Sequence, residues 1–291
     1  MIGITGATGK LGRLVIDTLL QTIPASDIAA LARSPDKAAE LAAKGVAVRQ
    51  ADYDRPETLD SALAGIERLL LISSNEMGRR VPQHRAVIAA AQRAKVKLLA
   101  YTSLLHADRS PLAVREEHVA TEAALAEAAI PHVLLRNGWY IENYTGSVGM
   151  AIDNGSIIGA AGDGRISAAA RADYAAGAAA VLTATADQSG QVYELAGDTA
   201  FTLAELAAQI TRLSGKTVTY RDLPADECRA ALVVRGLPEP IAARMVASDI
   251  GIAKGGLFDD SRQLSRLIGR PTTPLSEALA TALKDRPINA H

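Results

Sequence analysis

Large rings, cysteine and surplus charge are all scarce in this chain. Its 291 residues include two Phe, one Trp, seven Tyr and a single cysteine, Cys228. One thiol cannot close an internal disulfide, and Cys228 has none of the CxxC or Cys/His company of a redox pair or zinc site. A buried or half-buried thiol on a helix is expected there. The histidines His84, His106, His118, His132 and His291 show no ligand spacing, so no metal is expected. A formal net charge of −1 excludes the polycationic surface that holds nucleic acid or anionic lipid. No run is apolar enough to span a bilayer: the Ala-rich stretch at 168–186 is interrupted by Arg171, Asp173 and Gly177. Met1 leads straight into an apolar run with no room for a charged, cleavable leader, so a cytoplasmic location is expected. A homodimer is left open.

What the chain does have is rhythm. Short apolar runs at Ile2–Thr5, Ile28–Ala32, Val46–Gln50, Leu69–Ile72, Leu98–Thr102 and His132–Arg136 alternate with longer stretches of helical spacing. Ser34-Pro35 and Ser110-Pro111 read as N-caps followed by Pro in the first helical turn. Strands alternating with helices imply repeated βαβ units, hence an α/β fold with a doubly wound parallel sheet of the NAD(P)-binding Rossmann type. Beyond residue 137 the rhythm fails. A Gly-rich passage and the Ala-rich helix lead to a seventh strand at Val192–Ala196, and helices then dominate: Thr202–Ser214, Pro224–Arg235, Pro238–Ala247 and Pro274–Leu283. The expected division is a dinucleotide-binding domain over residues 1–136, joined by the returning strand 192–196. A smaller, mostly helical substrate domain over residues 137–291 completes it.

The sharpest motif is Ile4-Thr-Gly6-Ala-Thr-Gly9-Lys-Leu-Gly12, set between the first strand and the first helix. Gly6 permits the tight turn, Gly9 lets a pyrophosphate approach the backbone, and Gly12 allows helix and strand to touch. Phosphates then meet free N–H groups at the helix start. A site for NAD typically has a carboxylate roughly 20 residues further on, accepting from the ribose hydroxyl. Here Arg33 ends the second strand and Lys37 follows one turn later, which favours the 2′-phosphate of NADPH. The competing reading makes both ordinary charges at a helix start. Asp52 is placed to approach the adenine or to cap a helix. Ser73, Ser74 and Asn75 end the fourth strand and Thr102 the fifth, on the carboxyl edge where such sheets bind ligands.

A further absence constrains the chemistry. Classical short-chain dehydrogenases pair a Tyr with a Lys four residues on. Here the residues four positions after the seven tyrosines are Glu57, Leu105, Tyr144, Val148, Ala178, Gly197 and Pro224. Without that acid an ordinary ketone is a hard substrate, because the developing alkoxide needs a donor. A quinone spreads the incoming charge over its ring and tolerates a weak acid. His118, four residues before Glu122, is a candidate proton donor or else half of a surface ion pair.

The scarce rings cluster in Gly138-Trp139-Tyr140-Ile-Glu-Asn143-Tyr144, directly after the sixth strand. They are walls for a flat acceptor, with Tyr140 a candidate for chemistry, or simply a core cluster.

Together ITGATGKLG, VRQADYD, LLLISS, AYTSLLHAD, LLRNGWYIENY, IGAAGDG, RADYAA, VYELAGD and GGLFDDS resemble the NmrA-like branch of the atypical short-chain dehydrogenases over nearly the whole chain, and most closely its quinone-reducing bacterial members. The resemblance implies NADPH across Gly6, Ala7, Thr8, Gly9, Lys10, Leu11 and Gly12, with Arg33 on the 2′-phosphate. It implies cofactor contacts at Ser73–Asn75 and at Asn137, Gly138, Trp139, Tyr140 and Asn143, with a small quinone above the nicotinamide and no flavin. Other members of the branch sense the dinucleotide as regulators, or reduce other conjugated acceptors, and those alternatives stay open.

Overall fold

The segment Ile28–Ala32 reads IAALA and every residue of it is buried, the signature of a strand covered on both faces. In the computed structural model, which describes residues 1–284, this strand is β2 of a seven-stranded parallel sheet. The others are β1 (Ile2–Ile4), β3 (Ala47–Gln50), β4 (Arg68–Leu71), β5 (Leu98–Leu104), β6 (His132–Asn137) and, after β7 (Ser156–Gly159), β8 (Val192–Leu195). Their order is β3-β2-β1-β4-β5-β6-β8, so the direction of winding reverses between β1 and β4. Ile2 pairs with both Ile28 and Arg68, which places β1 inside the sheet, next to its central strand β4.

Alternation along the strands builds two core layers. Ile28, Ala30 and Ala32 face one side with Ile4, Leu70, Ala100 and Leu135. That layer is covered by α1 (Lys10–Leu19), α2 (Ala39–Ala43), α8 (Arg171–Thr183) and α12 (Gln263–Ile268). Ala29 and Leu31 face the other side with Leu69, Leu71, Leu99 and Tyr101, under α3 (Pro56–Ala62), α4 (Arg80–Arg93) and α5 (Arg115–Glu127).

A third core cluster lies beyond the carboxyl end of the sheet. It gathers Ile141, Tyr144, Val148 and Ile152 from α6 (Glu142–Thr145), α7 (Val148–Asp153) and the residues before them, with Phe201 and α9 (Leu203–Ser214). Tyr144 meets Phe201 edge to face at 5.3 Å. Thr202 caps α9 with a full capping box: its side chain accepts from the Glu205 N–H at 3.1 Å, and the Thr202 N–H donates to the Glu205 carboxylate at 2.8 Å. Such a cap stabilises a helix by about 1 kcal/mol. A small parallel pair, β7 with β9 (Thr219–Asp222), supports α10 (Ala225–Val234) and α11 (Glu239–Ala253), and α13 (Leu275–Lys284) closes the described chain.

Three expectations need correcting. Ser110-Pro111 does not open a helix: the Ser110 hydroxyl accepts from the Leu112 N–H in a local turn, and α5 starts at Arg115. The β7–β9 pair is additional to the helices expected after residue 196. The helix beginning after Pro238 continues to Ala253, through Ser248 and Asp249, whose polar groups find the Arg244 carbonyl and the Ala160 N–H.

Candidate functional site

The loop after β1 turns through Gly6 at a φ of +57°, a conformation that side-chain-bearing residues rarely adopt. At Gly12 a Cβ would stand 2.4 Å from the Gly6 carbonyl oxygen and 2.8 Å from Ala7 Cα, so helix α1 can sit against the loop only without one. Gly9 caps α1 with no side-chain hydrogen bond. The first-turn N–H groups are therefore left for a ligand, at the end of the helix that favours an anion. The loop borders a cleft of about 500 Å³ at the carboxyl edge of the sheet, where the winding reverses.

Gly6, Thr8, Gly9, Lys10, Leu11 and Gly12 all line that cleft, together with Arg33, Asp52, Ser73, Ser74, Asn75 and Tyr140. The other residues singled out in the sequence lie elsewhere. Ala7 is fully buried and its N–H donates to the Leu31 carbonyl at 3.3 Å. Lys37 is exposed and does not line the cleft; its carbonyl accepts from Arg13 at 3.0 Å, while Arg13 Nε holds the Thr8 carbonyl at 3.2 Å. Thr102 stands behind the wall, accepting from the Ser73 N–H at 2.8 Å.

The segment after β6 is divided. Asn137 is buried with its side-chain Oδ1 unpartnered, and the Gly138 N–H donates to the Leu195 carbonyl at 2.8 Å. Trp139 packs into the third core cluster rather than onto the cleft, as its core reading expects. Tyr140 does face the cleft. Its ring centroid lies 4.6 Å from the Arg171 guanidinium and 5.4 Å from the centroid of the buried Tyr174, the two rings meeting edge to face. Burial raises the Tyr140 pKa above the usual phenol value, and the Arg171 charge opposes that shift. Asn143 accepts from Arg171 at 3.3 Å.

His118 is not on the cleft wall. It is buried under β5 with Nδ1 2.8 Å from the Tyr101 hydroxyl, and Glu122 turns instead to Ser103 and Arg136. Burial, aided by Arg80, pushes the His118 pKa down to about 3, so the ring is neutral near pH 7. It supports the sheet rather than the acceptor. Its neighbour His84 is equally dry and also lowered to about 3, by burial and then by Arg80. His84 Nε2 accepts from the Ser74 N–H at 2.9 Å and Nδ1 lies 3.0 Å from Thr121 Oγ1, so this neutral ring orients the loop after β4.

Several cleft residues were not singled out as site residues in the sequence: Ala32, Ala51, Tyr53, Asp54, Ile72, Glu76, Gln83 and Arg171. Tyr53 and Asp54 sat within VRQADYD beside Asp52, the one signal that could have found them. The Tyr53 hydroxyl lies 2.6 Å from Thr5 Oγ1 and 3.1 Å from the Ile72 carbonyl, joining the ends of β1, β3 and β4. Glu76 stands in none of the motifs, and Arg171, which opens RADYAA, is brought to the cleft from 31 positions beyond Tyr140. Among the described residues no cluster of His, Cys, Asp or Glu could hold a metal, and no helix is long and apolar enough to cross a membrane. Cys228 is buried on α10, where burial pushes its thiol up to about 11.

A family model described as NmrA-like matches residues 1–278. Quinone oxidoreductase 2 of Escherichia coli strain K12 is 57% identical over 280 residues, 96% of this chain and 98% of that protein. The crystal structure of an NADPH-dependent quinone oxidoreductase from Escherichia coli complexed with NADPH matches with a TM-score of 0.95 at 56% identity, covering 97% of this chain and all of that one. Triphenylmethane reductase from Citrobacter sp., complexed with NADP(H), matches with a TM-score of 0.93 at 38% identity over 97% of this chain and all of that one.

Proposed function

The chain belongs to the NmrA-like family, and from that premise we propose that it is an NADPH-dependent quinone oxidoreductase that works without flavin. The observation that carries the reading is the cleft itself. A glycine loop and a bare helix N-terminus form one part of its wall, Arg33 stands where an NAD site has a carboxylate, and Tyr140 with Arg171 forms another part. The 57% identity to quinone oxidoreductase 2 supports the choice of acceptor.

The residues fit the cofactor. Lys10 and Leu11 would hold its pyrophosphate on backbone N–H groups beside Gly9, Arg33 its 2′-phosphate, and Asp52 its adenine, with Ser73–Asn75 and Asn137 toward the nicotinamide. Asn137 Oδ1, buried and unpartnered, is an acceptor that a ligand amide would satisfy. When bound, NADPH supplies the hydride. The protein's share is to hold a flat acceptor against the Tyr140 ring and to keep the Arg171 charge beside it. The reduced oxygen takes its proton from water, which an electron-poor quinone permits. Residues 137–291 form the substrate side, and the setting we assign is the cytoplasm.

The test is turnover. Purified protein with NADPH and a benzoquinone or naphthoquinone, without added flavin, should oxidise NADPH and yield hydroquinone. Tight NADPH binding with no turnover on any quinone defeats the reading. Turnover confined to triphenylmethane dyes would move this chain to the other acceptor class in the family.

A further inference from the structure

We propose that Glu76 is a specificity-determining residue: its carboxylate holds Arg33 where the cofactor's 2′-phosphate would sit, and surrenders it when that phosphate arrives. The proposal rests on the NADPH reading above and extends it to a residue outside every sequence motif.

Arg33 and Glu76 are 43 positions apart, one after β2 and the other in the loop after β4, and both line the cleft. Arg33 Nη1 lies 3.0 Å from Glu76 Oε1. The two partners are not equally free. The Arg33 side chain is 68% exposed and the Glu76 side chain 33%. The carboxylate is also anchored from behind, because Oε2 accepts from Gln83 Nε2 at 3.0 Å. Gln83 is buried, and the same amide nitrogen reaches both oxygens of Asp54, at 3.2 and 3.1 Å. Two carboxylates thus fix the amide, and the amide fixes Glu76. In this pair Arg33 is the part that moves.

A phosphate dianion approaching Arg33 therefore meets a fixed negative charge already bonded to the same guanidinium. It must displace that partner or lie beside a like charge. Glu76 has a second cation ready. Arg79 Nη1 stands 3.7 Å from Glu76 Oε2, while Arg79 Nη2 bonds Asp54 at 2.8 Å. Exchange of Arg33 for Arg79 leaves no carboxylate stranded. A cofactor without the 2′-phosphate makes no demand on Arg33 and meets no such competition. Glu76 therefore moderates the preference for NADPH below what Arg33 alone would provide.

The test is direct titration calorimetry of NADPH and NADH, without quinone, on wild type, Glu76→Gln, Arg33→Ala and the double variant. Glu76→Gln removes the charge at nearly constant shape and keeps one oxygen, which accepts from Gln83 or from Arg33 but not from both, and an unchanged melting temperature shows that the fold is retained. The variant should bind NADPH about two- to fivefold tighter, the range an exposed ion pair allows, and NADH within error of wild type. The gain should shrink in high salt, because the competition is Coulombic, and be non-additive with Arg33→Ala, because both residues act on one phosphate. Unchanged or weaker NADPH binding, or an equal gain for NADH, overturns the proposal. If wild type does not prefer NADPH and Arg33→Ala changes neither affinity, the 2′-phosphate reading itself is wrong, and the role of Glu76 falls with it.

Discussion

The Tyr140 ring meets both a charge and a second ring: the Arg171 guanidinium lies 4.6 Å from its centroid, and Tyr174 meets it at 5.4 Å between centroids with an interplanar angle of 78°. Arg171 reaches this position because its backbone N–H is held by the Glu142 carboxylate at the start of α8. The wall is therefore built by two segments about thirty residues apart.

If Tyr140 acts as a wall, removing its hydroxyl matters little and removing its ring matters much. Tyr140→Phe should leave quinone turnover within about threefold, whereas Tyr140→Ala should raise the Michaelis constant for a naphthoquinone by about tenfold, the scale of one lost ring contact and its buried area. A large loss of kcat in Tyr140→Phe would instead make the hydroxyl a proton donor.

Arg33→Ala should weaken NADPH by about tenfold or more, the cost of a charge-assisted phosphate contact, and hardly change NADH. Direct binding measurements decide it. Equal losses for both cofactors would remove Arg33 from the 2′-phosphate.

Gly12→Ala puts a Cβ 2.4 Å from the Gly6 carbonyl oxygen, which is backbone and has little room to yield. The variant should lose several degrees in Tm and most of its NADPH affinity, since the loop must open to admit the methyl. Wild-type affinity in a folded Gly12→Ala protein would show that this loop does not carry the phosphates.

Three groups with large shifts contribute to the pH dependence of stability: the buried His84 and His118 and the half-buried Asp249. His84 and His118, each lowered to about 3, stay neutral in the folded state while the unfolded chain takes up protons below about pH 6.5. Each therefore makes stability fall as pH drops from about 6.5 toward 3. Asp249 acts in the opposite sense. Burial raises it to about 6, so between about pH 6 and 4 the folded state takes up a proton that the unfolded state does not. The net difference over that window is about one proton, a slope of about 1.4 kcal/mol per pH unit. Asp249→Asn should roughly double the slope, and His84→Asn should flatten it. Denaturant melts at pH 6 and pH 4.5 check both, and an unchanged slope in Asp249→Asn would refute the assignment.

Much of the site could be read in the chain because its signals are local. Gly6, Gly9 and Gly12 are within seven residues, and their roles come from backbone sterics that need no distant partner. Arg33, Ser73 and Tyr140 could be read because each follows a strand, and every parallel strand delivers its carboxyl end to the same edge. His118 was misleading for the complementary reason. Helical spacing paired it with Glu122, but spacing does not say which face is buried, and Tyr101 took the ring while Arg136 took the carboxylate. Trp139 and Tyr140 are adjacent and part company, one into the third core cluster and one onto the cleft.

From the sequence alone came the doubly wound sheet, the phosphate loop, the cation at its second strand and the missing Tyr/Lys acid, all of them consequences of local sterics, periodicity and residue type. Tertiary structure alone decided which charges share the cleft. Glu76 came to face Arg33 across 43 positions because the helices between them pack on one sheet, and Arg171 came to cover Tyr140 across 31 because the chain between them turns back through the third core cluster. Such pairings depend on how distant segments converge in space, and no short stretch of sequence encodes that distance.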